Sequence, residues 1–206
     1  NIPTGTVELL AKKITVLNES KTPPFEIDKD TIGINEESRL TYRYLDLRSE
    51  RMAKNIRMRN AIFQNMRQFL GQKDFVEVET PILTKGTPEG AREYMVPSRL
   101  HKGNFYVLPQ SPQQFKQLLM TAGIERYYQM ARCFRDEDQR GDRQPEFTQM
   151  DLEMSFVEQN DVMELIEALL IHTVETLYPE KRIQEKPFPR LSYAESMEKY
   201  GNDRPD

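Results

Sequence analysis

Between Tyr127 and Phe156 the chain carries two runs of alternating side chains, separated by a short loop dense in Arg, Asp and Glu. Alternation with a period of two marks a strand, and a short turn-rich loop between two such runs folds them back as an antiparallel pair. In Phe147 to Phe156 the even positions Thr148, Met150, Leu152, Met154 and Phe156 are mostly apolar and are expected to face a core. The odd positions Phe147, Gln149, Asp151, Glu153 and Ser155 are mostly polar, which by itself also suits the solvated face of an antiparallel sheet. In the preceding run, Tyr127 to Glu137, Arg135 and Glu137 share a face. The hairpin therefore gathers Arg135, Arg143, Glu137, Gln149 and Asp151 beside the Phe147 ring.

The flanking sequence predicts mainly helices. Met52, Ile56, Phe63, Met66 and Leu70 recur at helical spacing over roughly 50–72, with Gly71 to end the helix. Phe75 to Pro81 then alternates like a strand. Ser111 and Pro112 open a helix closed by Gly123, Ser as the cap and Pro at the first helical position. Phe115, Leu118, Leu119 and Ala122 lie on one of its faces, and Gln113, Lys116 and Gln117 on the other. Asp161 with Glu164 reads as a capping box before an apolar helix that contains His172. Thr6 to Leu10 and Ile14 to Leu17 read as strand, before a stiff Pro23-Pro24 link.

Composition excludes several classes. The single cysteine, Cys133, rules out an intramolecular disulfide and a cysteine-based zinc cage, and two histidines cannot make a multi-histidine metal site. No apolar run approaches the ~20 residues of a membrane span. A net charge of -4 argues against binding nucleic acid over the whole surface, but not against a local basic patch. Arg57, Arg59 and Arg67, with Arg140 and Arg143 in the loop, could supply one. A cytoplasmic location is expected.

The string Phe134-Arg135-Asp136-Glu137-Asp138, continuing through Asp142-Arg143-Gln144-Pro145-Glu146-Phe147-Thr148-Gln149, closely resembles motif 2 of class II aminoacyl-tRNA synthetases. Its form is that of bacterial-type aspartyl-tRNA synthetases. Leu40-Thr41-Tyr42-Arg43-Tyr44-Leu45-Asp46-Leu47-Arg48 is similar to a signature shared by the aspartyl, asparaginyl and lysyl enzymes. The 50–72 helix with the strand to Pro81 resembles motif 1, which forms the family's dimer interface; alone, it is also a plain amphipathic helix. The implied fold is α+β, a mixed, largely antiparallel sheet flanked by helices and preceded by a remnant of an OB-type barrel. Residues 1–26 would be the end of that anticodon-binding barrel and its hinge. Residues 27–206 would be the first part of the catalytic domain, ending near the start of an insertion domain.

The implied activity is that of an aspartate–tRNA ligase, which joins aspartate to ATP's α-phosphate and then transfers it to the 3′ end of tRNA. Such chemistry needs two anions brought together and charge stabilised on phosphate oxygens, with little demand for a protein nucleophile. The resemblance implies that Arg135 holds the α-phosphate, Arg143 reaches the γ-phosphate, Phe147 stacks on adenine and Glu137 lies near the adenine or the tRNA end. Asp138 and Arg140 would meet the acceptor end. The segment Gln110 to Lys116 resembles the family's QSPQ-x-x-K pocket, which implies Lys116 for the aspartate side chain and Ser111 and Gln113 to fix the substrate. Asp151 would pair with its ammonium group. Thr84 to Arg92 looks like the loop that closes over bound aspartate, with Glu89 recognising the ammonium. Alone, Lys116 also reads as a solvated helix residue and the loop as a generic surface loop.

No G-x-G-x-x-R follows the second strand, so the family's motif 3 is missing and the chain is expected to be a fragment. ATP is the expected substrate. Mg2+ ligands are expected mostly in the missing half, with no metal site here. Expected partners are tRNA, L-aspartate and a second copy in a homodimer. A non-catalytic synthetase-like binding or dimerisation module is the alternative.

Overall fold

The computed structural model describes residues 5–205, so the outer ends of the two expected domains, residues 1–4 and Asp206, lie outside the described residues. In chain order the elements are α1 (Glu36–Thr41), α2 (Arg43–Asp46), α3 (Glu50–Gly71), β1 (Val76–Glu77), β2 (Met95–Pro97), β3 (Phe105–Val107), α4 (Gln113–Thr121), β4 (Arg126–Phe134), β5 (Glu146–Met154), α5 (Gln159–Leu177) and α6 (Tyr193–Tyr200). They divide between two compact units, residues 1–58 and 59–206, with the boundary inside α3.

In the second unit the alternating runs form the expected hairpin. Strands β4 and β5 pair antiparallel, Tyr128 opposite Leu152 and Met130 opposite Met150, and β1 adds a short parallel strand beside β4. A separate antiparallel ribbon joins β2 to β3. The sheet is thus mixed and mainly antiparallel, in an α+β unit. Strand alternation places Tyr128, Met130, Met150, Leu152 and Met154 on one face, where they pack with Phe69 and Leu70 of α3, Phe75, and Leu165 and Leu169 of α5. Burying these aliphatic and aromatic groups contributes roughly 1.5–3 kcal/mol per fully buried side chain.

Several local expectations change. The even-face alternation stops at Met154: Phe156 has φ 57° and is 93% exposed, because the chain leaves the sheet there to enter α5. Helix α5 starts before Asp161, with Glu158 as the cap and Asp161 as the third helical residue returning the bond. Pro112 rather than Ser111 holds the cap position of α4. Its far end does close as expected: Gly123 has φ +88°, and the Gly123 and Ile124 amides donate to the Met120 and Leu119 carbonyls. His172 is a packing residue, its ring 5.3 Å from that of Phe69. Residues 192–201 form a further capped helix, Ser192 and Glu195 exchanging bonds at its start.

In the first unit, α1 and α2 enclose a carboxylate. Asp46 is fully buried and accepts from Thr31 Oγ1, from Arg43 and from Arg39 Nε at 3.1 Å, while Ser49 Oγ donates to its carbonyl at 2.9 Å. The Leu40–Arg48 signature is therefore a folding device around Asp46. The strands expected at 6–10 and 14–17 do not form; this stretch has no regular secondary structure, with Leu9, Leu10 and Leu17 fully or almost fully exposed. A strand needs a neighbour for its amides and carbonyls, and none pairs with these residues among those described. Ile56 of α3 is 53% exposed, unlike Met52.

Candidate active site

The odd face of the hairpin is covered by α4. Lys116 turns onto this face rather than into solvent, the alternative that its helical position alone allows. Its ammonium donates to Asp151 Oδ1 at 3.0 Å and lies 3.2 Å from Glu153 Oε2. Both Lys116 and Asp151 are nearly buried, with side chains 12% and 11% exposed. Burial opposes the charge on Lys116, but the two carboxylates win and raise its pKa above the ordinary lysine value. Burial likewise pushes the Asp151 carboxyl up, against the downward pull of Lys116. Asp151 Oδ2 is buried and meets no donor at full hydrogen-bond geometry among the described residues, although the Tyr127 hydroxyl lies close enough to help offset the upward push of burial. Tyr127, beneath it, donates to Gln129 Oε1 at 2.8 Å, which also accepts from Thr80.

Cys133 sits on the same face, fully buried, and burial lifts its thiol to about 11. A thiol of that pKa carries almost no thiolate near neutral pH. Alkylation of Cys133 by iodoacetamide at pH 8 is therefore expected to be at least about a hundredfold slower in folded than in urea-unfolded protein. Equal rates by mass spectrometry would contradict its burial.

Beside this face a cleft of about 460 Å3 is lined by five of the sequence-predicted residues, Glu89, Ser111, Gln113, Arg135 and Glu137, together with Gly90, Ala91 and Gln110. Ser111 is freed from capping because its hydroxyl donates to Glu89 Oε2 at 2.7 Å; Thr87 Oγ1 holds the other Glu89 oxygen at 2.9 Å. Arg135 continues the hairpin through its amide, which donates to the Pro145 carbonyl at 2.8 Å. Its guanidinium carbon lies 5.2 Å from the Phe147 ring centre, so a planar cation and an aromatic face stack at the cleft edge.

The structure gives a role to Gln110, the first residue of the Gln110 to Lys116 segment. It is 2% exposed, and its amide pairs with the Ala91 peptide at both ends: Ala91 N–H donates to Oε1 at 2.8 Å and Nε2 donates to the Ala91 carbonyl at 3.0 Å. The next peptide is tied to the hairpin loop, with Asp136 N–H donating to the Arg92 carbonyl and Arg92 Nε to the Asp136 carbonyl, each at 2.9 Å. Only burial and the two-ended geometry reveal this clamp; a glutamine before Ser-Pro carries no such signal.

The remaining candidates lie outside the cleft lining. Asp138, Arg140 and Arg143 are exposed in the hairpin loop, where Arg143 N–H donates to the Arg140 carbonyl at 3.0 Å. Pro81 is exposed after β1. The expected basic patch loses Arg67, which pairs two-pronged with Glu77 at 2.8–3.1 Å, while Arg59 stacks on Phe63 and keeps its charge without an ion pair among the described residues.

Residues 35–206 match the family model for tRNA synthetases class II (D, K and N). The chain is 62% identical over 205 residues to the aspartate–tRNA(Asp/Asn) ligase of Rubrobacter xylanophilus, and 56% identical over 207 residues to the aspartate–tRNA ligase of Geobacillus kaustophilus. Each comparison takes in the whole of this chain and 34% of the relative, so the chain spans about a third of the length of the curated relatives it matches. Among solved structures it is similar to one presented as an aspartyl-tRNA synthetase of Leishmania major Friedlin, with a TM-score of 0.66 and 28% identity over 77% of this chain and 31% of that one. The chain therefore belongs to the class II tRNA synthetases of the D, K and N group.

Proposed function

We propose that this chain is the part of an aspartate–tRNA ligase that carries the first half of its active site. The observation that carries this reading is the convergence of Glu89, Ser111, Gln113, Arg135 and Glu137 on one cleft, next to the buried Lys116–Asp151 pair. In the first step an oxygen of the aspartate α-carboxylate attacks the α-phosphorus of ATP, and the bond to pyrophosphate breaks. In the second, a ribose hydroxyl at the 3′ end of tRNA attacks the acyl carbon and AMP leaves. Arg135 is assigned to the α-phosphate and Arg143 to the γ-phosphate, since a guanidinium stays charged and grips phosphate with two prongs. Phe147 is assigned to adenine and Glu137 to adenine or the tRNA end, with Asp138 and Arg140 on the acceptor end.

Aspartate brings a negative side chain and a positive ammonium. Lys116 and Asp151 are assigned to these two groups, Glu89 to the ammonium as well, and Ser111 and Gln113 to holding the substrate. The depth of the pair supports this, because a buried carboxylate or ammonium is tolerated only when paired. Binding would exchange one internal ion pair for two with the substrate. Magnesium is expected to accompany ATP, but among the described residues no group of three or more His, Cys, Asp or Glu side chains could hold a metal ion, and no step here runs through it.

The reading extends to the parent protein as follows. Residues 1–26 are assigned to the end of an OB-type anticodon-binding barrel, and residues 27–206 to the catalytic domain up to an insertion. A homodimer is proposed through the Pro81 face, supported by the exposed Val76, Ile82 and Leu83 nearby. A cytoplasmic location is proposed; no helix among the described residues is long and apolar enough to cross a membrane.

The test is ATP–pyrophosphate exchange by the full-length parent with aspartate, asparagine or lysine. Exchange is expected with aspartate only. Folded parent that binds tRNA but exchanges with none of the three would overturn the assignment.

A further inference from the structure

Between Glu93 and Glu125 the chain has no acidic residue, although acids outnumber bases overall and the net charge is -4. This acid-free window contains the whole β2–β3 ribbon, and the ribbon's basic residues gather at its tip: Arg99, His101 and Lys102, all exposed. Several other cations of this unit are engaged. Arg67 binds Glu77, Arg132 binds Glu146, Lys116 binds Asp151, and Arg126 donates to the Lys73 carbonyl at 2.8 Å. No ion pair or side-chain hydrogen bond among the described residues engages the side-chain ends of Arg99, His101 or Lys102; His101 contributes only its amide, to Ser98 Oγ at 3.2 Å.

The tip is held in one shape. Ser98 N–H donates to the Asn104 carbonyl and Asn104 N–H to the His101 carbonyl, both at 3.0 Å, and Gly103 takes φ +81°, which its lack of a Cβ permits. Below it Pro97 pairs with Phe105 and Val96 with Tyr106. From β3 the chain runs directly to Gln110 and Ser111 in the cleft wall. At ~3.3 Å per extended residue, Lys102 lies within roughly 25 Å of that wall.

We infer that the tip of the β2–β3 ribbon is a second contact for the tRNA, gripping backbone phosphates of its helical part outside the cleft that takes the 3′ end. This rests on the function proposed above. Phosphates repeat every few ångströms along a duplex, and helical RNA is recognised mainly through backbone and shape. A tip fixed before binding loses little entropy on docking. The exposed Met95, Leu100 and Phe105 on the same ribbon make a second copy of the chain the rival occupant.

The test uses the full-length protein and the double variant R99A/K102A, whose positions lie on an exposed turn. The variant is expected to bind tRNA more weakly at low salt, with the plot of log affinity against log salt shallower by about 2, one per lost phosphate contact. Aspartate-dependent exchange should stay at the parental rate, and the charge-keeping R99K/K102R should restore the parental slope. An unchanged slope with normal exchange overturns the inference. So does a shift from dimer to monomer by sedimentation with the slope unchanged, which would give the ribbon to a protein contact. Absence of exchange in the parent itself would overturn the function reading instead, so the two failures are distinguishable.

Discussion

Replacing Arg135 with Ala in the full-length protein is expected to lower kcat/KM for aspartate-dependent ATP–pyrophosphate exchange by about a hundred- to a thousandfold, the usual loss when one preorganised charge-stabilising group is removed. Three features of its setting support so large an effect. Arg135 lines the cleft, its backbone is pinned to Pro145, and its guanidinium rests on Phe147 rather than in an ion pair among the described residues. The charge is thus positioned by packing and left available. Because charge develops on the phosphate oxygens in the transition state, most of the loss should appear in kcat. Arg135→Lys should recover only part of the activity, since an ammonium cannot reproduce the planar two-pronged contact. Activity of the Ala variant within about threefold of the parent would remove Arg135 from this role.

A second large effect is expected far from the chemistry. Asp46→Ala should lower the free energy of local opening around α1 and α2 by about 3 kcal/mol, the lower end of the cost of stripping one partner from a buried ion pair. The lower end applies because Arg43, with its side chain 44% exposed, can turn to water, whereas Arg39, at 18%, is left nearly buried without its carboxylate. Amide hydrogen exchange reads this directly. Protection at Leu47 and Ser49, whose N–H groups bond to Arg43 and Asp46, should fall by about a hundredfold. Unchanged protection would mean the network contributes little. Although burial opposes the charge, the Thr31 and Arg39 bonds, with Arg43, hold the Asp46 carboxyl below its ordinary value. Its contribution is then fully present above the ordinary carboxylate pKa and is lost as pH falls through the lowered folded value.

What was legible in the sequence was whatever repeats or punctuates. The β4–β5 alternation, the extent of α3 and the glycine closing α4 could each be read, because periodicity and backbone conformation are local properties. The residues of the cleft were legible only as a string, through the resemblance of Phe134 to Gln149 and of Gln110 to Lys116 to known motifs. Local rules taken alone fail where a distant partner outbids them. Ser111 looks like a cap until Glu89 arrives from a loop more than twenty residues earlier. Lys116 sits on the polar side of α4, yet the carboxylates of β5 draw that side inward. Residues 6–17 have strand-like composition, but composition cannot provide the neighbour a strand requires. Gln110 shows the opposite failure: nothing local marks a glutamine whose amide is matched to a peptide nineteen residues away.

That match has a thermodynamic consequence. Gln110, the Ala91–Arg92 peptides and Asp136 form one continuous hydrogen-bonded seam, from the wall assigned to the amino acid to the loop assigned to the nucleotide. Whatever conformational entropy is lost in stiffening one end of the seam need not be lost again at the other. Two ligands that each order their own end would then bind with positive cooperativity, and by linkage each would tighten the other by the same factor. Such a hydrogen-bonded seam can in this way make a two-substrate enzyme favour having both substrates over having either alone, without either one touching the other.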